Sequence, residues 1–519
     1  MQRFAVTLCS AWGVAQLVLL AGIGAANADV VISSRSTVNM NCGSSGYCEP
    51  TAANAVLNAG DLEHFVAQYG NFHVVTSGQN VEATNIVVKA AFGTPDSTSL
   101  TLEALGAIRI EAPVAIGSGT AELQMQSGQG GTLGDVSFGD LGHITFGSTS
   151  DLFNINGAVF QLVGSLPDLV TAISHASGGG FYVLANSYDA SADGTYGSAP
   201  IGIPFSGYFE ALGNTISKLK IRYKGGSPVG LFSELSGSQG FGDVRNLRLA
   251  NVNIEASANE IAGMAGIVDA GAAISQSSVS GSVIADSGSI VVGGLTAYVG
   301  GAVDASWSRA KVQSGDGTEA GGLAGDVLNT GAVENSYAVG TVATGNASDA
   351  GGLAGVNQGV VDGSFATGAV QNGGGGSAAG GLLGVNTGTL TNSYAEGSLT
   401  EASFSTVSYF GGLMGLAGVG SQVRTSYATG GVSANSSDLV GGVVGWDDTS
   451  HGFSRTSWDT TTSGLAQGAG NIDSDPGLKG LTSKTLRSRL PRGFDRNVWK
   501  EKGNTNRGFP YLIANPPPE

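Results

Sequence analysis

Residues 350–370 read AGGLAGVNQGVVDGSFATGAV, and this line of sequence decides the fold. Three close copies of it begin at Ala320, Ala379 and Phe410. Each copy carries a Gly-Gly pair, and the first glycines of these pairs are Gly321, Gly351, Gly380 and Gly411. Successive copies are therefore 30, 29 and 31 residues apart. A fixed period of this size predicts a repeat architecture.

The composition of one copy favours β-structure. Small or apolar residues alternate with small polar ones, and Asn and Gly occupy the turns. About three strands of ~5 residues fit into ~30 residues. We therefore predict an all-β fold, a right-handed parallel β-helix or β-solenoid whose stacked coils bury one core. The expected inward leucines are Leu323, Leu353, Leu382 and Leu413. The expected aromatic core column is Tyr337, Phe365, Tyr394 and Tyr427, continued by Trp458.

The repeat lines, GGLAGVNxGxVxxSYATGxV in outline, resemble the GLUG motif of large bacterial surface proteins. These include filamentous haemagglutinin-type adhesins and the non-catalytic parts of IgA-cleaving metallopeptidases. Segments 181–191 and 204–217 resemble the usual entry into such repeats, and 457–460 and 508–512 the usual exit. The strands expected between 71 and 155 resemble the shorter coils of the same adhesins, although the Asn-Pro-x-Gly secretion motif is absent. The resemblance implies a secreted or surface-exposed β-rich protein.

Bulk composition excludes some partners. The 519 residues include 86 glycines and only 12% charged residues, with a formal net charge of −17. Such an acidic chain disfavours nucleic acid as a partner. Hydrophobic residues at 41%, arranged in repeats, favour a packed solenoid over disorder.

The amino terminus has the pattern of an export signal. Residues 1–28 combine Arg3, an apolar run and a small-x-small sequence ending at Ala28, which predicts signal cleavage before Asp29. An uncleaved anchor is the alternative reading. Cys42 and Cys48 then remain as an even pair, which predicts a local disulfide more readily than a metal site. After signal removal, we do not expect the chain to be an integral membrane protein.

Four parts are predicted along the chain: the signal at 1–28, a cap with short coils at 29–160, the repeat solenoid at 161–460, and a cap with a basic tail at 461–519. Short capping helices are expected within 50–70, with Asp61 as N-cap, and at 166–174, with Ser165 as N-cap. Residues 479–519 hold nine Lys/Arg against three Asp/Glu, and a basic helix is expected near 482–490. This tail is either a folded cap against the acidic solenoid or a patch for an anionic cell-surface polymer.

Sites of chemistry are scarce. No H-E-x-x-H, G-x-S-x-G or Walker sequence is present, so the peptidase activity of some GLUG-bearing proteins does not carry over. Residues 189–194 match half of a calcium loop, but Pro200 stands where the bidentate Glu belongs, which favours a surface turn. The residues two positions before the serine of each Ser-aromatic pair are expected to form one column of side chains: Glu334, Asp362, Thr391, Arg424 and Arg455. We interpret it as a solvated ladder, and the aromatic column as core in preference to an exposed rail for sugars.

We therefore predict a secreted or outer-surface bacterial protein that mediates adhesion or surface interaction, without catalysis, cofactor or metal. Its partner would be a host or cell-surface glycan or protein. The alternatives are a polysaccharide-active β-helix lyase or hydrolase, for which Asp304 and Asp326 are test positions, and a purely structural envelope module.

Overall fold

The computed structural model describes residues 29–518 apart from 44, 79–80, 129–134, 287, 403–405 and 502. The predicted signal peptide, including Ala28, lies outside the described residues, and Asp29 begins the first strand, Asp29–Ser33. The described chain is a parallel β-solenoid of about 14 turns with few short helices. The predicted fold class is confirmed.

One coil of the repeat region passes through four sheets. We number these sheets I to IV, and their strands are given in the next paragraph. In the coil that starts the clearest repeats, Glu319–Gly321 lies in sheet III and Ala324–Val327 in sheet IV. The chain continues through Ala332–Glu334 in sheet I and Tyr337–Ala338 in sheet II. It then returns to sheet III one coil later at Asp349–Gly351, paired in parallel with Glu319–Gly321. The coil has more strands than the three predicted, because the Gly-Gly pair bends the chain between sheets III and IV.

The strands of each sheet in the repeat region follow the same order along the axis. Sheet I contains Phe181–Leu184, Tyr208–Glu210, Asp243–Arg245, Ala273–Ser275, Ala302–Asp304, Ala332–Glu334, Val360–Asp362, Thr389–Thr391, Gln422–Arg424 and Phe453–Ser454. Sheet II contains Tyr188–Asp189, Thr215–Ser217, Lys220–Lys224, Arg248–Ser257, Ser278–Ala285, Trp307–Gln313, Tyr337–Ala338, Val342–Ala343, Phe365–Ala366, Val370–Asn372, Tyr394–Ala395, Leu399–Glu401, Tyr427–Ala428, Val432–Ser433, Thr456–Asp459 and Leu478–Leu481. Sheet III contains Glu260–Ala262, Val291–Gly293, Glu319–Gly321, Asp349–Gly351, Ala378–Gly380, Tyr409–Gly411 and Leu439–Gly441. Sheet IV contains Phe232–Leu235, Ala265–Val268, Thr296–Val299, Ala324–Val327, Ala354–Asn357, Leu383–Asn386, Met414–Ala417 and Val444–Asp447.

The amino-terminal coils continue sheet I and add smaller sheets. Their sheet I strands are Met40–Cys42, Tyr47–Pro50, Asn71–Val75, Ser99–Ala104, Glu122–Ser127, Leu152–Ile155 and Ala158–Val163. The other strands are Asp29–Ser33, Ala55–Asn58, Ser77–Gly78, Val81–Glu82, Asn85–Val88, Phe92–Gly93, Ile108–Ile110, Pro113–Ile116, Val136–Phe138 and His143–Phe146. Ala158–Val163 pairs antiparallel with Leu152–Ile155 and parallel with Phe181–Leu184. The boundary predicted between residues 160 and 161 falls in this strand.

Close backbone approach explains the glycines of the repeat. A Cβ added at Gly351 would lie 1.8 Å from the carbonyl oxygen of Ala354 and 2.6 Å from that of Leu382. A Cβ at Gly355 would lie 2.5 Å from the amide nitrogen of Ala320. Sheets III and IV therefore pack so tightly that these positions admit no side chain at all. We call this contact between the two sheets the glycine arch.

The leucines of the repeat line the interior. Leu323, Leu353, Leu382 and Leu413 are each 0% exposed and belong to one hydrophobic cluster that runs through the repeat coils. The amide of Leu353 donates to the carbonyl oxygen of Leu382 at 2.8 Å, and the amide of Leu382 donates to that of Leu413 at 2.9 Å. A second cluster fills the amino-terminal coils.

Short helices pack against the coils at several points along the chain. The first, Ala59–Tyr69, begins after Asn58, whose side chain accepts hydrogen bonds from the amides of Gly60 and Asp61. The predicted N-cap, Asp61, is therefore wrong; it lies in the first turn. The second helix, Leu166–His175, is capped by Ser165 as predicted. The remaining helices are Ala190–Asp193, Gly237–Gln239, Thr460–Ser463, Ser483–Leu486 and Asn506–Gly508. Over the described part of the chain, none has the length and apolarity needed to cross a bilayer.

The predicted disulfide is confirmed. Cys42 and Cys48 face each other on the antiparallel strands Met40–Cys42 and Tyr47–Pro50, with Cα atoms 4.1 Å apart, and are covalently bonded. Cys48 is fully buried in the amino-terminal cluster. The bond therefore joins the two strands of this hairpin, and buried Cys48 packs the hairpin against the first coils.

Candidate functional site

The aromatic residues of the repeats form one continuous stack. Ring centroids are 5.9 Å apart for Trp307 and Tyr337, 4.8 Å for Tyr337 and Phe365, 4.7 Å for Phe365 and Tyr394, and 5.2 Å for Tyr394 and Tyr427. The ring planes of these pairs differ by 11°, 5°, 8° and 4°. Coils lie ~4.8 Å apart along the axis, so in-register rings stack face to face. We call these five residues the aromatic column.

The aromatic column points away from the solenoid interior, contrary to the predicted inward direction, although Phe365, Tyr394 and Tyr427 are buried as expected of core residues. After the four tyrosine or phenylalanine rings, the next residue is an alanine of the interior cluster: Ala338, Ala366, Ala395 or Ala428. After Trp307 the next residue is the buried Ser308. Neighbouring residues of a strand point to opposite faces, so the rings face outward. The interior is tight here, since a Cβ at Gly352 would lie only 2.9 Å from the Cβ of Ala366. The interior holds a methyl group at this position in the repeat coils, and the Trp458 ring takes the equivalent position in the last coil.

Trp458 does not continue the column. It pairs in register with Ala428, one residue out of step with Tyr427, and it lies in the interior cluster. Its indole N–H donates to the carbonyl oxygen of Leu465 at 2.9 Å. Trp458 therefore closes the interior at the last coil, and its predicted place in the aromatic column is wrong.

The carboxy-terminal segment 483–518, which we call the cover, lies over the outward rings. Phe494, Trp499 and Leu512 pack with the column in a separate hydrophobic cluster, and Phe365, Tyr394 and Tyr427 are 0% exposed. The strands Trp499–Lys500 and Tyr511–Leu512 pair antiparallel to form its frame. The three rings at the carboxy-terminal end of the column are thus buried by the cover, and the reading of these rings as an open rail for sugars does not fit this geometry.

Polar contacts fix the cover along four coils. The Tyr427 hydroxyl donates to the carbonyl oxygen of Pro510 at 2.6 Å. The Asn515 amide donates to the carbonyl oxygens of Ser336 and Gly363 at 3.3 and 3.0 Å. Arg507 forms an ion pair with Glu396, whose side chain is only 2% exposed. Burial raises the pKa of the Glu396 carboxyl, while Arg507 opposes that rise. The tail is therefore a folded cap with at least one cation on the acidic solenoid.

The serines before the aromatic residues form a ladder that sequence reasoning left without a role. The amides of Ser306, Ser336, Ser364 and Ser393 each donate to the hydroxyl of the next serine, at 3.1, 3.1, 3.2 and 3.2 Å. All of them are buried. Their recurrence immediately before each ring was the available signal for a structural hydrogen-bond column at the bend between sheets I and II.

The column of charged positions leads to an open groove. In register, Glu334, Asp362, Thr391 and Arg424 occupy successive coils, and Ser454 follows Arg424. Arg455 therefore stands one residue beyond the column, with φ of 53° at the bend. A groove of about 480 Å³ lies here, which we call the cationic groove, lined by Asp362, Thr391, Asn392, Gln422, Arg424, Thr425, His451, Gly452, Ser454 and Arg455.

Hydrogen bonds hold the acidic end of this groove. Asp362 accepts from the side-chain amide of Asn392 at 3.0 Å and from the hydroxyl of Thr391. The Thr425 hydroxyl donates to the amide oxygen of Asn392 at 2.7 Å. Arg424 donates to the Gln422 side-chain oxygen at 3.0 Å and stays exposed. The groove thus offers guanidinium, imidazole, amide and hydroxyl groups at its open end.

A group of carboxylates lies at the glycine arch, on another side of the coil. Burial, with help from Asp326 and Asp349, raises the pKa of Glu319 to about 7. Burial also raises the pKa of Asp326 to about 6, opposed by a hydrogen bond from the Gln358 amide. Asp304 lies instead in sheet I, where it accepts from Asn335 at 3.1 Å. The two test positions of the enzyme hypothesis, Asp304 and Asp326, therefore belong to different sheets.

The half calcium loop is engaged in local contacts. Asp189 accepts from the amide of Ser191 and forms an ion pair with Lys218. Asp193 accepts from the hydroxyls of Tyr188 and Tyr196. Both carboxylates thus hold the turn and its neighbouring rings in place.

Neither a protein-family model nor a curated protein matches the sequence. Among solved structures, the chain is similar to a crystal structure named as a putative immunoglobulin A1 protease from Bacteroides ovatus. The identity is 16%, the TM-score is 0.37, and the match covers 69% of this chain and 93% of that one. The resemblances to the GLUG motif and to filamentous haemagglutinin-type adhesins stay hypotheses from the sequence.

Proposed function

We propose that this protein is a secreted or outer-surface bacterial β-solenoid that mediates adhesion or surface interaction and catalyses no reaction. The observation that carries the proposal is the cationic groove, an open surface whose polar side chains come from successive coils. Side chains at fixed positions of a rigid stack present a fixed series of groups along one axis, which suits the recognition of an extended partner. The predicted export signal at 1–28 supports a location outside the cytoplasm.

Two arrangements weigh against catalysis at the positions first considered. The aromatic column, which could stack sugars if it were open, is covered by the segment 483–518. Glycoside hydrolysis uses a pair of carboxyl groups that flank the bond to be cleaved. Asp304 and Asp326 lie in different sheets of the coil and do not form such a pair.

Binding of the mature chain, residues 29–519, to arrays of glycans, matrix proteins and whole cells tests the proposal. Fractionation of expressing bacteria, with protease added outside intact cells, tests the location. We expect saturable binding on at least one surface and cleavage of the chain by external protease. The same chain unfolded in denaturant and diluted onto the arrays controls for adhesion of exposed apolar segments. A protein that binds nothing and resists external protease would instead be a structural module inside the envelope.

The carboxylates at the glycine arch give the enzyme alternative its sharpest test. If the protein cleaves polysaccharide there, reducing sugar is released from a panel of polymers and is lost in Asp326→Asn. Asp304→Asn, on the other sheet, serves as the matched control. We expect no release from any polymer with the unchanged protein.

A further inference from the structure

The carboxy-terminal coils and the cover bring exposed cations together on a chain of net charge −17. Arg424, His451 and Arg455 come from the last coils and are exposed. The cover adds Arg489 and Arg492, which are also exposed. The cover reaches the groove at Gly493, where an added Cβ would lie 2.5 Å from Cδ of Arg455. A local positive surface thus stands at one end of an otherwise acidic molecule.

These cations are not neutralised by the protein itself. The ion pairs found among the described residues join other partners, and none involves Arg424, Arg455, Arg489 or Arg492. The carboxylate inside the groove, Asp362, is already held by Thr391 and Asn392 at the far end. The positive surface therefore extends from Arg424 toward the cover. Asp362 bounds it on the opposite side.

We propose that the cationic groove, extended by the edge of the cover, binds an acidic polysaccharide through its carboxylate or sulfate groups. This inference rests on the proposed function and names its partner class. Arg424 and Arg455 come from adjacent coils, which lie ~4.8 Å apart, so they meet successive anionic groups of a chain laid along the axis. A guanidinium offers a planar fork of donors that matches a carboxylate or sulfate with two parallel bonds.

The rest of the lining favours a saccharide over other polyanions. Asn392, Gln422, Thr425 and Ser454 present amides and hydroxyls, the groups that hydrogen-bond to sugar hydroxyls. The groove presents no Phe, Tyr or Trp ring on which nucleic-acid bases would stack.

The test measures binding of the mature chain to immobilised polygalacturonate and dextran sulfate, with uncharged dextran and duplex DNA as comparison surfaces. The variants are R424Q/R455Q in the groove and R489Q/R492Q in the cover. The matched control is K218Q/R222Q, which removes two exposed cations elsewhere that pair with Asp189 and Glu255. R424Q alone guards against a folding defect, since Arg424 is exposed and Arg455 is packed against Gly493. Circular dichroism and thermal melts check each fold.

We expect binding to an acidic polymer, none to dextran, and weakening as salt rises from about 50 to about 200 mM. R424Q/R455Q weakens it by about tenfold or more, and R424Q and R489Q/R492Q weaken it in part. K218Q/R222Q leaves it unchanged. Equal loss in K218Q/R222Q, or full binding by a folded R424Q/R455Q, overturns the assignment of the groove. Stronger, arginine-dependent binding to DNA overturns the partner class. If R424Q/R455Q retains array and cell binding, the proposed function stands while this inference fails.

Discussion

Tyr394 and Tyr427 lie one coil apart with ring centroids 5.2 Å apart and planes 4° apart, and Trp499 of the cover contacts both rings. The two tyrosines are fully buried although they stand on the outer face of the solenoid. A residue far along the chain thus decides whether a surface column is exposed. The cover and the last coils therefore form one structural unit, and the first prediction follows from this contact.

Replacement of Trp499 by alanine should loosen the cover without unfolding the coils. Removal of a buried tryptophan costs about 3–5 kcal/mol in a core, and here the loss falls on the cover and the rings beneath it. We expect faster proteolysis within 483–518 and increased binding of an apolar dye, with little change in the far-ultraviolet spectrum. Trp307→Ala, at the half-buried end of the column, is the control and should change proteolysis little. Unchanged proteolysis of the Trp499 variant would show that the cover does not depend on this contact.

The ion pair between Arg507 and Glu396 should behave as a partly buried pair. Arg507→Gln leaves the buried Glu396 carboxylate without its cation, which we expect to destabilise the cover by about 1–3 kcal/mol. The double variant R507Q/E396Q should recover part of that loss, because no buried charge is then left unpaired. Thermal melts of the two single variants and the double variant measure the coupling. If the stability lost in the double variant equals the sum of the losses in the two single variants, Arg507 and Glu396 do not interact directly.

An alanine at Gly355 should disrupt the glycine arch. Its Cβ would lie 2.5 Å from the Ala320 amide nitrogen, so sheets III and IV must separate locally. Overpacking of this kind costs about 1–3 kcal/mol, and rigid backbone neighbours favour the upper end. Gly226→Ala provides the control, since nothing lies within 4 Å of an added Cβ there. Equal melting temperatures for the two variants would mean that the arch tolerates side chains.

Stability should rise as the pH falls from about 8 toward about 5. Burial raises the pKa of Glu319 to about 7, and of Asp326 and Asp349 to about 6. A carboxyl with a raised pKa binds its proton more tightly in the folded state, so its contribution is complete below the unfolded pKa. That contribution is lost as the pH rises through the folded value.

The variant Glu319→Gln isolates this effect. It should melt higher than the unchanged protein at pH 8, by about 1–2 °C, and show a weaker pH dependence. Glu82→Gln, on an exposed hairpin strand, controls for the change in net charge. A Glu319→Gln variant whose melting temperature follows the same pH curve as the unchanged protein would contradict a raised pKa at this carboxyl.

Several features were accessible from the sequence because they depend on local or periodic patterns. The Gly-Gly spacing predicted a stack of coils, since only a repeated unit returns the same residues to the same place. Ser165 and the apolar spacing after it predicted the second helix, and the short separation of Cys42 and Cys48 predicted their bond. The N-cap of the first helix was missed because Asn58 and Asp61 both have suitable side chains, and only the backbone path selects Asn58.

The sequence by itself determined the solenoid, its period and its leucine interior, because each follows from spacing within one repeat. Tertiary structure alone decided which way the aromatic column faces, since a shift of one residue moves a side chain to the opposite face of a strand. It also decided that the column is covered, because Trp499 and Asn515 reach rings and carbonyl groups far away in sequence. The cationic groove arose in the same way, from Arg424, Arg455 and a tail loop that only folding brings together.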